Sequence, residues 1–472
     1  MNDKMMHTAF DDTICAVSTP SGLGGIAVVR ISGPKAVGIA DLVWKGRRLA
    51  DVESHTAHLG YIVDEAGETV DQAVATVFRA PNSFTGENVV ELSVHGSLWI
   101  QREVVNLLIR RGCRGAEAGE FTRRAFASGR MDLAEAEAVA DVIASTSKAA
   151  NRVAISQMKG HFSSRLASLH DSLLELASLL ELELDFSEED VEFASREKLR
   201  AIADEIRHEV TSLADSYATG SVLKNGIPVA IVGATNVGKS TLLNLLLHDD
   251  KAIVSDIHGT TRDIIEDTAE IDGILYRFID TAGMRDTADV VESIGIDRAK
   301  ERMKNARIVL WIIDATESIN SAQTLMADVV DEIADGQRLI CVINKVDAVE
   351  KDAVDKMKAY LREAIPIPFN AVEISAKSGE GIAELLKAIT DAAEVAALDS
   401  EAVVVTNARH YEALRNARTS IERVLDGLVT GLSGDFIAQD VRETLHHLAS
   451  ITGRITTDQI LASIFSRFCI GK

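Results

Sequence analysis

Long apolar runs are missing from this chain: no stretch approaches the ~18 consecutive apolar residues that a bilayer-spanning helix needs. The first residues, Met1 to Asp12, lack the basic start and apolar centre of a secretion signal. A cytoplasmic protein with no membrane partner is therefore expected. Cysteine is sparse, four in 472 residues. Cys15, Cys113, Cys341 and Cys469 show neither metal-ligand nor redox spacing, so free thiols are expected at all four, with Cys341 inside an apolar strand and in a core. Positive charge is in deficit: 49 basic side chains stand against 72 acidic ones, a net charge of −23. A field of that sign repels polyanions, which excludes an obvious stand-alone nucleic-acid binder. The small basic clusters Arg110-Arg111 and Arg123-Arg124 read as solvated surface. Core-forming material is present in ordinary amounts, 46% hydrophobic and 26% charged residues, in a chain long enough for about three domains.

The first part reads as an α/β unit. Gly24 to Ile31, Leu59 to Val63, Gln72 to Phe78 and Val89 to Val94 are strand-like, and Ser97 can cap a helix running to Arg110. In the last strand Val90, Leu92 and Val94 alternate with Glu91, Ser93 and His95, which puts Glu91 on a polar face, either solvent or pocket. From Asp132, which forms a capping box with Glu135, helical periodicity continues with breaks to about Tyr217, with a turn expected at Ser187 to Asp190. It returns late in the chain as two stripes, Tyr411, Leu414, Ile421, Leu425, Leu428 and then Ile437, Val441, Leu445, Leu448. Neither helical block completes a core alone. One helical domain made from both, with a compact α/β domain inserted through Thr219 to Gly226 and Ala396 to Val404, is the economical organisation; tandem helical domains are the rival.

The inserted segment carries phosphate chemistry. Gly233-Ala-Thr-Asn-Val-Gly-Lys-Ser240 follows the apolar run Pro228 to Val232 and opens the helix Thr241 to Leu247. In that setting successive backbone N–H groups cradle phosphate, with Lys239 on the outer phosphates and Ser240 on magnesium. Asn344-Lys345-Val346-Asp347 closes another apolar strand and is a guanine signature: Asp347 accepts from the two N–H groups of the guanine edge, and Asn344 holds loop and base. Ile374-Ser375-Ala376-Lys377 offers the Ala376 N–H to the guanine carbonyl. Between these lie Thr260-Thr261 and Asp280-Thr281-Ala282-Gly283. Thr261 is the expected magnesium and γ-phosphate sensor, Asp280 a carboxylate behind the magnesium, and Gly283 an N–H donor to the γ-phosphate. Motifs in this order and spacing make a GTPase domain.

One usual part is missing. Met284 follows Gly283 where signalling GTPases commonly carry a glutamine that orients the attacking water. Two substitutes are available: the amide oxygen of Asn236, which can hold a monovalent cation against the β- and γ-phosphates, and Glu292, which can swing in if its segment reorders. Taken alone, a glutamate such as Glu292 is more often a surface carboxylate.

These motifs together resemble the MnmE (TrmE) family of tRNA-modification GTPases. The resemblance rests on Gly233 to Ser240 with Asn236, Gly259-Thr260-Thr261-Arg262-Asp263, Asp280 to Gly283 with Glu292, Asn344 to Asp347, Pro81-Asn-Ser-Phe-Thr-Gly-Glu87 and the terminal Phe468-Cys469-Ile470-Gly471-Lys472. It covers essentially the whole chain. It implies an N-terminal α/β tetrahydrofolate-binding-like domain over 1–122 that also dimerises, a helical domain in two parts over 123–220 and 393–472, and a Ras-like GTPase domain over 221–392.

The resemblance further implies a potassium-activated, magnesium-dependent GTPase that works with an FAD-containing MnmG-like partner in a heterotetramer. Together they add an aminomethyl or carboxymethylaminomethyl group to carbon 5 of the wobble uridine of certain tRNAs, using 5-formyl- or 5,10-methylene-tetrahydrofolate. It assigns nucleotide contacts to Asn236, Val237, Gly238, Lys239, Ser240 and Thr241, to Ser255, Asp256, Ile257, His258, Gly259, Thr260 and Thr261, to Asp280 through Gly283, and to Asn344, Lys345, Asp347, Ser375, Ala376 and Lys377. Magnesium falls to Ser240 and Thr261, potassium to Asn236, Ser255, Ile257 and Thr260, and folate to Arg30, Glu91, Arg130 and Lys472. Catalytic roles fall to Glu292, Asn236, Lys239 and Cys469. From the residues alone, Arg30 and Glu91 fit a pterin edge, a glutamate tail or a structural salt bridge, and Cys469 fits a nucleophile or a packing residue. A regulatory GTPase of ribosome assembly is the alternative function.

Overall fold

The computed structural model describes residues 10–185, 196–248, 253–254, 266–280, 303–318, 326–327, 329–393, 403–466 and 468–471, without the side chains of 183–185, 248, 253–254, 266 and 280. The chain divides into two compact units, Met1–Ala140 with Gln157–His208 and Asn416–Lys472, and Asp141–Ser156 with Glu209–Arg415.

In the first unit a sheet is built from β1 (Ile14–Val17), β2 (Gly24–Ser32), β3 (Trp44–Lys45), β4 (Thr56–Val63), β5 (Thr69–Phe78), β6 (Val89–Gly96) and β7 (Arg114–Gly115), in the order β3-β4-β5-β6-β2-β1-β7. All pairs are antiparallel except β1–β7. Alternation fixes which face is covered. Val29 and Ile31 of β2 and Val90, Leu92 and Val94 of β6 are buried with Val104, Leu107 and Leu108 of the helix Leu98–Arg110, while Arg30 and Glu91 stay on the other face. That helix begins where the sequence expects. Ser97 caps it through its carbonyl, which accepts from Gln101 N at 3.0 Å, and its hydroxyl takes no capping bond. The short strands β1, β3 and β7 and the helices Ala36–Asp41 and Glu120–Ala127 were not expected from the sequence.

Helices follow. Asp132 and Glu135 form the expected reciprocal capping box, each bond 2.8 Å, at the head of Leu133–Ala144. The long helix His161–Asp185 packs along Gly434–Thr452, where Arg442 reaches Glu181 at 2.9 Å. Ile437, Val441 and Leu448 are buried on that second helix, as are Leu414, Ile421 and Leu428 on Ala408–Thr430, so both late stripes face cores. The turn expected at Ser187 to Asp190 lies outside the described residues. Phe465 at the end of the helix Asp458–Phe465 and Phe468 pack with Phe126 and Leu133.

The second unit holds a sheet of β8 (Ile227–Val232), β9 (Ile253–Val254), β10 (Glu266–Ile271), β11 (Ile274–Asp280), β12 (Ile308–Asp314), β13 (Arg338–Asn344) and β14 (Phe369–Glu373), ordered β14-β13-β12-β8-β11-β10-β9. β8 pairs in parallel with both β11 and β12. The chain therefore winds off in two directions from β8, and loops after the strand ends open at that switch point. Alternate residues serve two layers: Leu310, Ile312, Ile340 and Val342 pack toward Lys239–His248 and Ile382–Ala393, while Val309, Trp311, Leu339 and Cys341 pack toward Lys351–Ala364. Cys341 is a core thiol as expected, and all four cysteines are free. Among the described residues no helix is long and apolar enough to cross a membrane.

Candidate functional site

The nucleotide site grows from the end of β8. Gly233 passes over β12 with φ +152°, and a Cβ there would meet Ile312 O at 2.5 Å. Asn236 takes a left-handed φ of +61°, which turns the loop back toward Lys239, the first residue of its helix. The Lys239 ammonium donates to Gly233 O at 2.8 Å and Ala234 O at 2.7 Å, lying across the loop that frames it. Val237 is buried, while Asn236, Ser240 and Thr241 are exposed. Gly238 leaves room for a partner from β13, because a Cβ there would lie 2.3 Å from the Asn344 side-chain nitrogen.

Asn344 is 2% exposed and joins two loops. Its Nδ2 donates to Val237 O at 2.7 Å, and its Oδ1 accepts from Ala376 N at 2.9 Å. The Ala376 N–H thus bonds within the protein. Ser375 is fully buried, with its hydroxyl accepting from Ser378 N at 3.2 Å, and Lys377 is exposed. Lys345, at φ +66°, reaches the Asn236 carbonyl at 3.0 Å and Asp314 Oδ2 at 2.5 Å. Burial pushes the Asp314 carboxyl up, but Lys345 and Thr316 outweigh it and hold it below the usual carboxylate range. Asp347 stands exposed in the short turn Val346–Ala348. Asp314 escaped the sequence reading, although it closes β12 in register with Asn344. Ser255, Asp256, Ile257, His258, Gly259, Thr260, Thr261, Thr281, Ala282, Gly283 and Glu292, and the side chain of Asp280, lie outside the described residues.

The first unit gathers a second cluster. Arg30 and Glu91 are cross-strand partners of β2 and β6, and Arg30 Nε donates to Glu91 Oε1 at 2.8 Å. The guanidinium lies 5.4 Å from the ring centre of Phe84 and 5.6 Å from that of Phe121. The C-terminal segment arrives beside it. Gly471 O accepts from Ser18 Oγ at 3.0 Å and from Arg30 Nη1 at 3.5 Å. Ile470 bridges to Ala118, and Cys469 O accepts from Gly119 N at 3.3 Å. Cys469 itself is exposed. Arg130 stands at the other side of the Pro81 to Glu87 loop: a Cβ on Gly86 would lie 3.2 Å from Arg130 Cγ. It lines a cleft of about 280 Å³ with Phe126, Asp132, His170 and Arg454. Lys472 lies outside the described residues.

One reading of the basic clusters is corrected here. Arg124 is not solvated surface: it is 1% exposed and bonds Asp12 Oδ1 at 2.6 Å, Glu120 Oε1 at 3.0 Å and Glu87 Oε1 at 3.2 Å. A buried guanidinium holds there because its two terminal nitrogens pair with carboxylates, while its Nε has no hydrogen-bond partner. Glu87 also accepts from Ser32 Oγ at 2.6 Å, which itself lies 2.7 Å from Thr85 Oγ1. The network therefore fixes the Pro81 to Glu87 loop that carries Phe84 to Arg30.

Fold and loops define a P-loop GTPase domain placed within a helical protein that has an α/β N-terminal domain. The family model for the MnmE helical domain matches residues 133–469, and the model for the GTP-binding protein TrmE N-terminus matches residues 13–130. Proteins described as tRNA modification GTPase MnmE are similar throughout. That of Bacteroides fragilis is 48% identical over 98% of this chain and 99% of its own, and that of Parabacteroides distasonis is 48% identical over 98% and 100%. That of Christiangramia forsetii is 48% identical over 98% and 99%. This chain belongs to the MnmE family of tRNA modification GTPases.

Proposed function

We propose that this chain is the potassium-activated GTP-hydrolysing subunit of a tRNA-modifying enzyme. With an FAD-containing MnmG-like protein it adds an aminomethyl or carboxymethylaminomethyl group to carbon 5 of the wobble uridine of certain tRNAs. It acts as a homodimer within a heterotetramer, and 5-formyl- or 5,10-methylene-tetrahydrofolate supplies the one-carbon unit. The observation that carries this reading is the seating of Cys469 to Gly471 beside Arg30 and Glu91. It brings a charged pair suited to a pterin edge or glutamate tail next to a chain end bearing an exposed thiol. Arg130 and Lys472 complete the folate set.

The nucleotide loops fit GTP and magnesium. Lys239, now on two carbonyls of its own loop, exchanges them for outer phosphate oxygens. The exposed Ser240 hydroxyl holds magnesium with Thr261, and the exposed Asp347 carboxylate reads the guanine edge. Asn236 makes no side-chain hydrogen bond among the described residues, so its amide oxygen is open to a potassium ion, with Ser255, Ile257 and Thr260 as the other ligands. Bound cations supply positive charge opposite the phosphates where charge develops during hydrolysis. Glu292 orients the water that Met284 has no group to hold.

Mass analysis of tRNA nucleosides from cells lacking the gene tests the proposal. Loss of the modified wobble uridine, restored by the parent gene, is expected, and unchanged wobble uridines would sink it.

A further inference from the structure

The C-terminus is held more firmly than an exposed chain end requires. Gly471 takes φ +96°, a conformation side-chain-bearing residues rarely adopt, and a Cβ there would lie 2.2 Å from Val17 O and 3.0 Å from Ser18 Cα. Its carbonyl receives the Ser18 hydroxyl at 3.0 Å, from a side chain just past β1. One residue back, Ile470 bridges to Ala118, and two back, the Cys469 carbonyl takes Gly119 N–H at 3.3 Å. Gly119 is itself fitted to the tail: at φ +65°, a Cβ there would meet Phe465 O at 2.7 Å and the Phe468 Cβ at 2.9 Å. The buried rings of Phe465 and Phe468 anchor the segment from the helical side.

We propose that Ser18 and Gly471 are positioning residues for the tRNA-modifying reaction: they latch the C-terminal turn onto β1 and so fix the Cys469 thiol in the Arg30–Glu91 region. This rests on the function proposed above. The physical case is that the backbone on both sides of Cys469 is pinned while its thiol is left exposed. Packing alone is met by Phe465 and Phe468 and does not need a left-handed glycine pressed against Val17. Both residues belong to the first unit and the nucleotide loops to the second, so the latch acts on group transfer and not on GTP turnover.

The test uses the full-length parent and the variants Ser18→Ala, Ser18→Thr and Gly471→Ala, with melting temperature and GTP turnover measured to establish that each folds. Native protein is transferred to deuterated buffer and exchange at the Gly119 N–H, which the Cys469 carbonyl accepts, is followed by mass spectrometry. Loss of one hydrogen bond predicts exchange about fivefold faster in Ser18→Ala, more in Gly471→Ala, and a return to the parent rate in Ser18→Thr. Modified uridine formed in tRNA with the reconstituted partner should fall in the same order, with GTP turnover unchanged. Equal exchange rates in all four proteins overturn the latch. Faster exchange with undiminished tRNA modification overturns the positioning role. Exchange is read on this chain alone, so a parent that modifies no tRNA counts against the proposed function and leaves the latch measurable.

Discussion

Asn344 donates to the carbonyl of Val237 at 2.7 Å, so the residue that opens the guanine signature is also the strut of the phosphate loop. The same side chain accepts from Ala376 N at 2.9 Å. Three loops, from β8, β13 and the end of β14, are therefore set by one buried amide. Substituting Asn344→Ala leaves the Val237 carbonyl and the Ala376 N–H unpaired in a buried setting, at about 1–3 kcal/mol each. The expected outcome is a lower thermal midpoint together with weaker binding of GDP and GTP alike, read by calorimetry. A variant with parent stability and parent affinity contradicts the strut.

Asp347 is free of that framework. It is exposed, and its carboxylate makes no hydrogen bond among the described residues, so its chemistry is available to a base. In Asp347→Asn one acceptor becomes a donor. Loss of a charged hydrogen-bond pair predicts weaker GTP binding by about 1.5–3 kcal/mol, ten- to more than a hundredfold, with xanthosine nucleotides gaining because they offer a carbonyl at the altered edge. Fold and melting temperature should be unchanged. Retained guanine preference in competition binding would contradict the assignment.

The sequence made the nucleotide loops legible because phosphate and base recognition need particular residues at consecutive positions, and Gly233 to Ser240 and Asn344 to Asp347 carry them without help from distant chain. The polar face bearing Glu91 was legible from alternation alone. Arg124 was not, because its burial depends on Asp12 and Glu87, 112 and 37 residues away, and nothing local separates it from the half-exposed Arg123. Asp314 was hidden for a similar reason: its role appears only when β12 and β13 lie in register and bring Lys345 across. Periodicity shows which face is buried, but not which polar groups are brought together there.

Asn236 provides the test for the cation. Its left-handed backbone and unengaged amide place an oxygen in the phosphate loop without a protein partner among the described residues. GTP turnover should be faster in potassium than in sodium by about tenfold, which corresponds to ~1.4 kcal/mol of transition-state stabilisation. Asn236→Ala should abolish that difference while leaving the sodium rate nearly as it was. Equal parent rates in the two salts at matched ionic strength remove the potassium proposal.

The buried charges around Arg124 make a pH prediction with a definite sign. Burial pushes Glu120 upward, yet Arg114, the Glu117 amide and Arg124 outweigh it, and its carboxyl titrates below the usual carboxylate range. The folded value lies below the unfolded one of about 4.3, so on acidification the unfolded chain takes up the proton first. The stabilisation is then complete at neutral pH, above the unfolded pKa, and is lost as the pH falls through the folded pKa. Denaturant unfolding of the first unit should weaken more steeply on going from about pH 5 to about pH 3 in the parent than in Glu120→Gln, which has no proton to bind. Asp12 is also lowered, and it titrates in both proteins, so the difference between the two curves isolates Glu120. Arg124→Ala removes the shared donor and leaves Glu120 buried against fewer partners, with an expected loss of about 3–5 kcal/mol at neutral pH. That loss should shrink in acid, where the carboxylates it strands are protonated. A loss independent of pH would mean that Arg124 holds the Pro81 to Glu87 loop by packing and not by charge.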